Sequence, residues 1–239
     1  MEDQAEALFG PPPVRETIGE TVYRRLREAV LAGRVPMGAR INELELARAW
    51  RVSRTPIRDA LRRLSAEGLL QAEPGRGMVV PVLQRADLEE LYSLLEVLEG
   101  LAARRAAERA GAGFLAQVNT LIKRYGAALK QDALAEVIAA DEALHEAVAE
   151  MAQHRRLAEA IRLHRLRARV FQMKAFRLRG RAGKTFREMA KLVAALRSRD
   201  PGRAETAMRE HLASLGADIA AAYDELAALP PEGRERMLY

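Results

Sequence analysis

The chain contains no cysteine. That excludes a disulfide-stapled fold, a thiol nucleophile and a cysteine-built zinc site. Aromatic residues make up only 5% of its 239 residues, and the apolar set is mostly Ala, Leu and Val, which favours helix over sheet. No apolar run approaches the roughly 20 residues that a membrane helix needs. The N-terminal stretch MEDQAEALFGPPP is acidic and lacks an apolar signal core. A soluble cytoplasmic protein with no membrane partner is expected. Hydrophobic residues reach 49%, which rules out a disordered or fibrous chain and lets a substantial core be buried. At roughly 100–200 residues per domain, the length suits one large domain or two small ones.

Lysine is missing from residues 15–83, where all 13 basic side chains are Arg, set against 8 acids. A second basic stretch, Arg155 to Lys191, holds 13 basic residues against two acids, Glu159 and Glu188. The net charge of +6 points weakly to a polyanionic partner. The distribution says more, because each basic stretch is either a solvated helix face or a binding surface.

Residues 1–14 read as a disordered tail closed by Pro11-Pro12-Pro13. A helix is expected over about 16–32, with Val22, Leu26, Ala29 and Val30 at helical spacing. Gly33 ends it, and Pro36-Met37-Gly38 makes a turn. A short helix over 42–49 has Asn42 as its N-cap. After Trp50-Arg51-Val52 comes a third helix. Ser53 can cap it, Pro56 sits in its first turn, and Ile57, Leu61 and Leu64 form its apolar stripe. Leu69–Ala72 and Met78–Val80 then flank Glu73-Pro74-Gly75-Arg76-Gly77 as a two-stranded hairpin with a glycine-rich tip. Residues 81–85 form a linker. Beyond it only helices are expected, over about 87–110, 113–130, 132–152, 155–178, 184–199 and 201–228, with no further strand. Pro230-Pro231 opens a short tail over 230–239.

The first constellation lies on the third helix. Arg54, Arg58 and Arg62, at i, i+4 and i+8, run beside the apolar stripe of residues 57, 61 and 64. A short helix, a tight connection and this Arg-bearing helix make a helix-turn-helix, whose second helix enters the major groove of DNA. Arg reads guanine through two hydrogen bonds, while Ser53, Thr55 and N-terminal amides suit phosphate. The hairpin would serve as a wing, with Gly75 and Gly77 permitting close backbone approach and Arg76 reaching phosphate or the minor groove. A solvated Arg-rich helix is the competing reading. The turn, the Arg face and the glycine-tipped hairpin, coming in that order, favour DNA.

Residues 22–82 resemble the winged helix-turn-helix of GntR-family bacterial transcription regulators. The resemblance rests on Leu26-Arg27 through Gly33, Pro36-Met37-Gly38, Leu46-Ala47, Val52-Ser53-Arg54-Thr55-Pro56-Ile57-Arg58-Asp59-Ala60-Leu61-Arg62-Arg63-Leu64, Glu67-Gly68-Leu69 and Gly75-Arg76-Gly77. It implies DNA contacts at Ser53, Arg54, Thr55 and Arg58, with the wing at residues 75–77. Some relatives also use an Arg in the second helix, where this chain has Leu44.

The second constellation is Asp141 and His145, at i, i+4 on one helix, together with His211 on the last long helix. A carboxylate with two imidazoles inside a helical bundle can hold a divalent metal. Such a pair also occurs by chance on exposed helices, so spacing leaves both readings open. Residues 86–226 resemble the effector-binding FCD domain of the FadR subfamily. Asp141-Glu142-Ala143-Leu144-His145 looks like its metal-binding helix, and Ala207-Met208-Arg209-Glu210-His211-Leu212 like its closing helix. The resemblance implies a further His after Glu188, where this chain has Met189. It also implies an Arg where this chain has Leu95. Asp141, His145 and His211 could hold Zn, Mn or Ni with water or effector completing the shell, or could line a metal-free pocket. Arg165 and Arg169 are candidates for pairing an anionic effector.

These readings give a mainly α protein. A winged helix-turn-helix over 15–83 precedes a six- or seven-helix effector-binding and dimerisation bundle over 84–229. The resemblance implies a bacterial ligand-responsive regulator that is nucleoid-associated when bound, a repressor released from its operator by a small carboxylate. A single reading head covers few base pairs, so a homodimer on two-fold operator DNA is expected, with the linker passing effector state to the heads. No catalytic residues are expected. Two alternatives are a metal-dependent helical enzyme and an effector-free architectural DNA-binding protein. The first lacks a convincing general base or nucleophile beside the metal candidates.

Overall fold

The computed structural model describes residues 17–82, 84–175 and 180–228. The two expected tails, Leu83 of the linker and residues 176–178 of an expected helix lie outside the described residues. The chain divides into two compact units between Pro81 and Val82.

In the first unit, α1 (Ile18–Leu31) is capped by Thr17, whose hydroxyl accepts from the Glu20 amide. Its buried Val22, Leu26, Val30 and Leu31 pack on α3 (Arg54–Ala66) through Ile57, Ala60, Leu61 and Leu64. Between them lies α2 (Glu43–Trp50), with the Asn42 side chain accepting from the Leu44 and Glu45 amides. Arg51 closes α2 at φ 53°, the left-handed conformation that turns the chain sharply into α3.

The wing is larger than the sequence suggests. A two-residue strand, β1 (Arg40–Ile41), pairs with β3 (Gly77–Val79), which also pairs with β2 (Gln71–Glu73); the sheet is antiparallel in order β1-β3-β2. The two-stranded wing is therefore corrected to three strands. A strand of two residues is too short to show period-2 alternation, so no pattern in the sequence announces β1.

The second unit consists of α4 (Arg85–Arg109), α5 (Ala112–Lys130), α6 (Leu134–Met151), α7 (Arg155–Ala175), α8 (Arg181–Arg197) and α9 (Pro201–Ala228). Helix α8 starts three residues earlier than expected. Gly183 reads as a break in sequence but sits inside the first turn, after Gly180 at φ 79°. Helix α4 touches α6, α7, α8 and α9. Its contact with α9 is close. A Cβ on Gly216 would lie 2.8 Å from the Cβ of Tyr92, and one on Gly100 would lie 2.8 Å from Cγ of Arg209. Glycine at both positions lets the two helices approach and brings the α9 side chains to those of α4.

Candidate functional site

In the head, Ser53, Arg54, Thr55, Arg58 and Arg62 are all exposed, while the apolar stripe of α3 is buried on the other side. Ser53 occupies the N-cap position, but its hydroxyl makes no capping bond. Pro56 at the third helical position has no N–H to offer it. The basic face is tied to α2 by Glu43. Oε2 of Glu43 accepts from Nη2 of Arg54 at 3.3 Å and from Nε and Nη2 of Arg58 at 3.3 and 3.2 Å. The Arg58 hydrogen bond leads in holding the Glu43 carboxyl below its ordinary range.

At the wing tip, Gly75 and Gly77 have φ of 75° and 81°. A Cβ would meet nothing within 4 Å at either. Glycine is required there by backbone conformation, not by crowding. The Arg76 guanidinium folds back, donating to Oε2 of Glu73 at 2.8 Å and to the Gly38 carbonyl at 3.2 Å.

In the bundle, α6 supplies Asp141 and His145 and α9 supplies His211, all fully buried. One ligand atom from each lies within 4.8 Å of the others. The imidazole centroids are 5.3 Å apart. Each ring has a carboxylate at Nδ1: Glu99 of α4 for His145, and Oε2 of Glu188 of α8, at 2.9 Å, for His211. A carboxylate at Nδ1 fixes the proton there and turns the Nε2 lone pair to the opposite side. Both Nε2 atoms and both Asp141 oxygens are buried without a hydrogen-bond partner. Burial pushes the His211 pKa down, against the pull of Glu188, so the ring stays in the neutral form that binds metals. Orphaned buried acceptors are costly. A divalent cation would satisfy all of them, so these residues fit a metal.

Two arginines, Arg165 half-buried and Arg181 buried, frame the cluster. Arg165 donates from Nη1 to Oε1 of Glu99 at 3.2 Å, with Nη2 lying 3.7 Å from Asp141. Burial raises the Glu99 pKa, but His145 and Arg165 outweigh it and hold the carboxyl down at about 2. Arg181, 3% exposed, donates to Glu188 at 2.8 Å, to Ser214 at 3.1 Å and to Asp218. Nη2 of Arg165, Nε of Arg181 and the hydroxyls of Tyr92, Tyr125 and Thr185 are also buried without hydrogen-bond partners. Burial raises both tyrosine pKa values, so both phenols keep their protons as donors.

The structure therefore brings Asp141, His145, His211 and Arg165 together. Arg169 instead binds Glu142 at 2.9 Å. Met189 is fully buried on α8. Sequence reasoning missed Glu99, Arg181 and the role of Glu188. Glu99 left a signal: it falls in register with buried Leu88, Tyr92, Leu95, Ala102 and Ala106, an acid on an apolar stripe. Arg181 lies in the basic stretch from Arg155 to Lys191 but falls between the expected helices 155–178 and 184–199, where no buried face can be assigned to it.

Comparison with known proteins follows this division. Residues 18–80 match the domain of bacterial regulatory proteins of the gntR family, and residues 90–214 match the FCD domain. An HTH-type transcriptional regulator from the TAR-I ttuE-ttuC' intergenic region of Agrobacterium vitis is 35% identical over 147 residues, 56% of this chain and 85% of that one. The HTH-type transcriptional repressor RspR of Escherichia coli K12 is 24% identical over 206 residues, 85% of this chain and 90% of that one. The solved structure of a GntR transcriptional regulator from Rhodococcus sp. RHA1 superposes with a TM-score of 0.72 at 25% identity, covering 85% of this chain and 98% of that one. No helix among the described residues is long and apolar enough to cross a membrane. A DNA-binding head followed by an FCD effector domain places this chain in the GntR family of bacterial transcription regulators.

Proposed function

We propose that the protein is a homodimeric, cytoplasmic repressor that a small organic carboxylate releases from its operator, with a divalent metal held by Asp141, His145 and His211. The carrying observation is the set of buried acceptors that lack a hydrogen bond, Nε2 of both histidines and the Asp141 carboxylate, gathered within 4.8 Å of one another. Nitrogen and oxygen ligands suit zinc, manganese or nickel, and three of them leave coordination positions open. Met189 offers only a soft thioether, so the shell is completed by water or effector. When bound, the metal supplies a Lewis-acid positive charge for a carboxylate. Nη2 of Arg165 and Nε of Arg181 would neutralise the remaining charge, while Tyr92, Tyr125 and Thr185 would donate to oxygens of the effector. Arg169 keeps its place on Glu142.

At the head, Arg54 and Arg58 would read base edges, Arg62 would extend that face, and the free hydroxyls of Ser53 and Thr55 would meet phosphate. The Gly75-Arg76-Gly77 tip would lie against the backbone or minor groove once Arg76 leaves Glu73. The repressor named among the relatives supports the direction of control.

The test is anisotropy on a duplex enriched by the full-length protein from a random-sequence pool. Zinc-loaded protein is titrated with acetate, lactate, gluconate, succinate and citrate. At least one acid should release the duplex, and His211→Gln should abolish that release while leaving DNA binding intact. Undiminished release by the His211→Gln protein would refute the role given to the buried cluster.

A further inference from the structure

Glu43 lies at the junction of the two helices of the DNA-binding motif. It is the first residue of α2, held there by the Asn42 cap. One of its oxygens takes three N–H groups from two arginines of α3. Resting on the reading that Arg54 and Arg58 contact DNA, we propose that Glu43 is a positioning residue that fixes both guanidinium groups for base reading. It does so at the expense of general affinity for DNA.

The geometry of Arg58 carries the argument. Its Nε–H and one Nη2–H point to Glu43, at 3.3 and 3.2 Å. That edge of the guanidinium is taken, which leaves the Nη1 end of the planar fork to face outward. A fork held along one edge presents its other donors in one orientation, as a guanine O6/N7 pair requires. A free Arg of four rotatable bonds would spread over neighbouring phosphates instead. Arg54, tied through Nη2 to the same oxygen, is drawn to the same side of α3.

The opposing effect is electrostatic. Glu43 keeps its negative charge beside a surface built to meet phosphates, and like charges repel whatever the sequence. These two effects separate Glu43 from an ordinary surface ion pair, which would change neither base discrimination nor random-sequence affinity through its partners. Removing the charge should therefore strengthen binding to random DNA and weaken discrimination.

The experiment measures full-length protein on three duplexes. One is the duplex enriched from a random pool by the unaltered protein. The second is the same duplex with its most enriched G·C pairs changed to A·T. The third is a shuffled sequence. Glu43→Gln, Arg58→Ala and the double variant are compared with the unaltered protein, with circular dichroism confirming the fold. Glu43→Gln should tighten binding to the shuffled duplex and cut the enriched-to-swapped affinity ratio by about tenfold. The double variant should discriminate no worse than Arg58→Ala alone, because Glu43 acts through Arg58. If Arg58→Ala lowers the ratio and Glu43→Gln does not, Glu43 has no positioning role and the base-reading assignment survives. If Arg58→Ala leaves the ratio unchanged, the base-reading assignment and the proposal fall together.

Discussion

Glu99→Gln is a sharp probe of the buried cluster, because it changes charge and hydrogen-bonding capacity at nearly constant volume. The carboxylate serves two donors, Nδ1–H of His145 through Oε2 and Nη1–H of Arg165 through Oε1. An amide has one acceptor oxygen. If that oxygen serves His145, the NH₂ group confronts Arg165, which keeps only Asp141 at 3.7 Å; if it serves Arg165, the NH₂ group confronts the buried Nδ1–H of His145. Breaking a buried pair by removing one partner costs about 3–5 kcal/mol. For a bundle of this size, that lowers its melting temperature by roughly 6–20 °C. Calorimetry on the full chain should show this at pH 7. The sign with pH follows from the carboxyl being held near 2, below its ordinary 4.5. Its contribution is fully present above about 4.5 and is lost as pH falls through about 2, so the difference between the proteins should narrow in acid. The same substitution frees the His145 ring to reorient, and zinc affinity should fall about 10–100-fold. A variant that melts within 2 °C of the original (about 0.5–1 kcal/mol) and binds zinc equally well would refute the role given to Glu99.

Three further outcomes are expected. Met189→His, placing an imidazole where the FCD resemblance has one, should tighten zinc and manganese binding in paired calorimetric titrations; equal or weaker binding would mean that position 189 does not face the metal. Gly216→Ala should destabilise the bundle by about 1–3 kcal/mol despite the better helix propensity of Ala, because its Cβ would press on Tyr92 at 2.8 Å; an unchanged denaturant midpoint would show that α9 shifts freely. Leu94, Val97 and Leu101, at i, i+3 and i+7 on α4, are all exposed. If they belong to the dimer interface, sedimentation equilibrium should show twice the 26.5 kDa chain mass, and Leu94→Asp with Val97→Asp should halve it; a doubly substituted dimer would exclude this face.

The head was legible because its signals are local. Asn42 caps α2, glycines turn the wing tip, and Ile57, Leu61 and Leu64 recur at helical spacing within one helix. What escaped was β1, whose two residues become a strand only by pairing with Val79 and Met78 across the fold. The bundle site was half legible. The Asp141 and His145 pair declares itself by i, i+4 spacing. The partners that orient the rings stand 46 residues from His145 and 23 from His211, and no local pattern links residues so far apart. Arg165 and Arg169 were indistinguishable in sequence, being one turn apart on one helix. Only tertiary packing sends the first to Glu99 and the second to Glu142.

The open N-terminus of α3 has a consequence for how recognition and folding are coupled. Ser53 leaves its cap unmade, and the amides of Arg54 and Thr55 have no acceptor one turn back. The recognition helix thus begins with an unfinished end, and the positive pole of its backbone dipole faces outward there. A phosphate oxygen seated at that end would do what a capping side chain does elsewhere. The DNA backbone would then supply the helix's missing terminus, so that registering the head on the duplex and completing its first turn become one event.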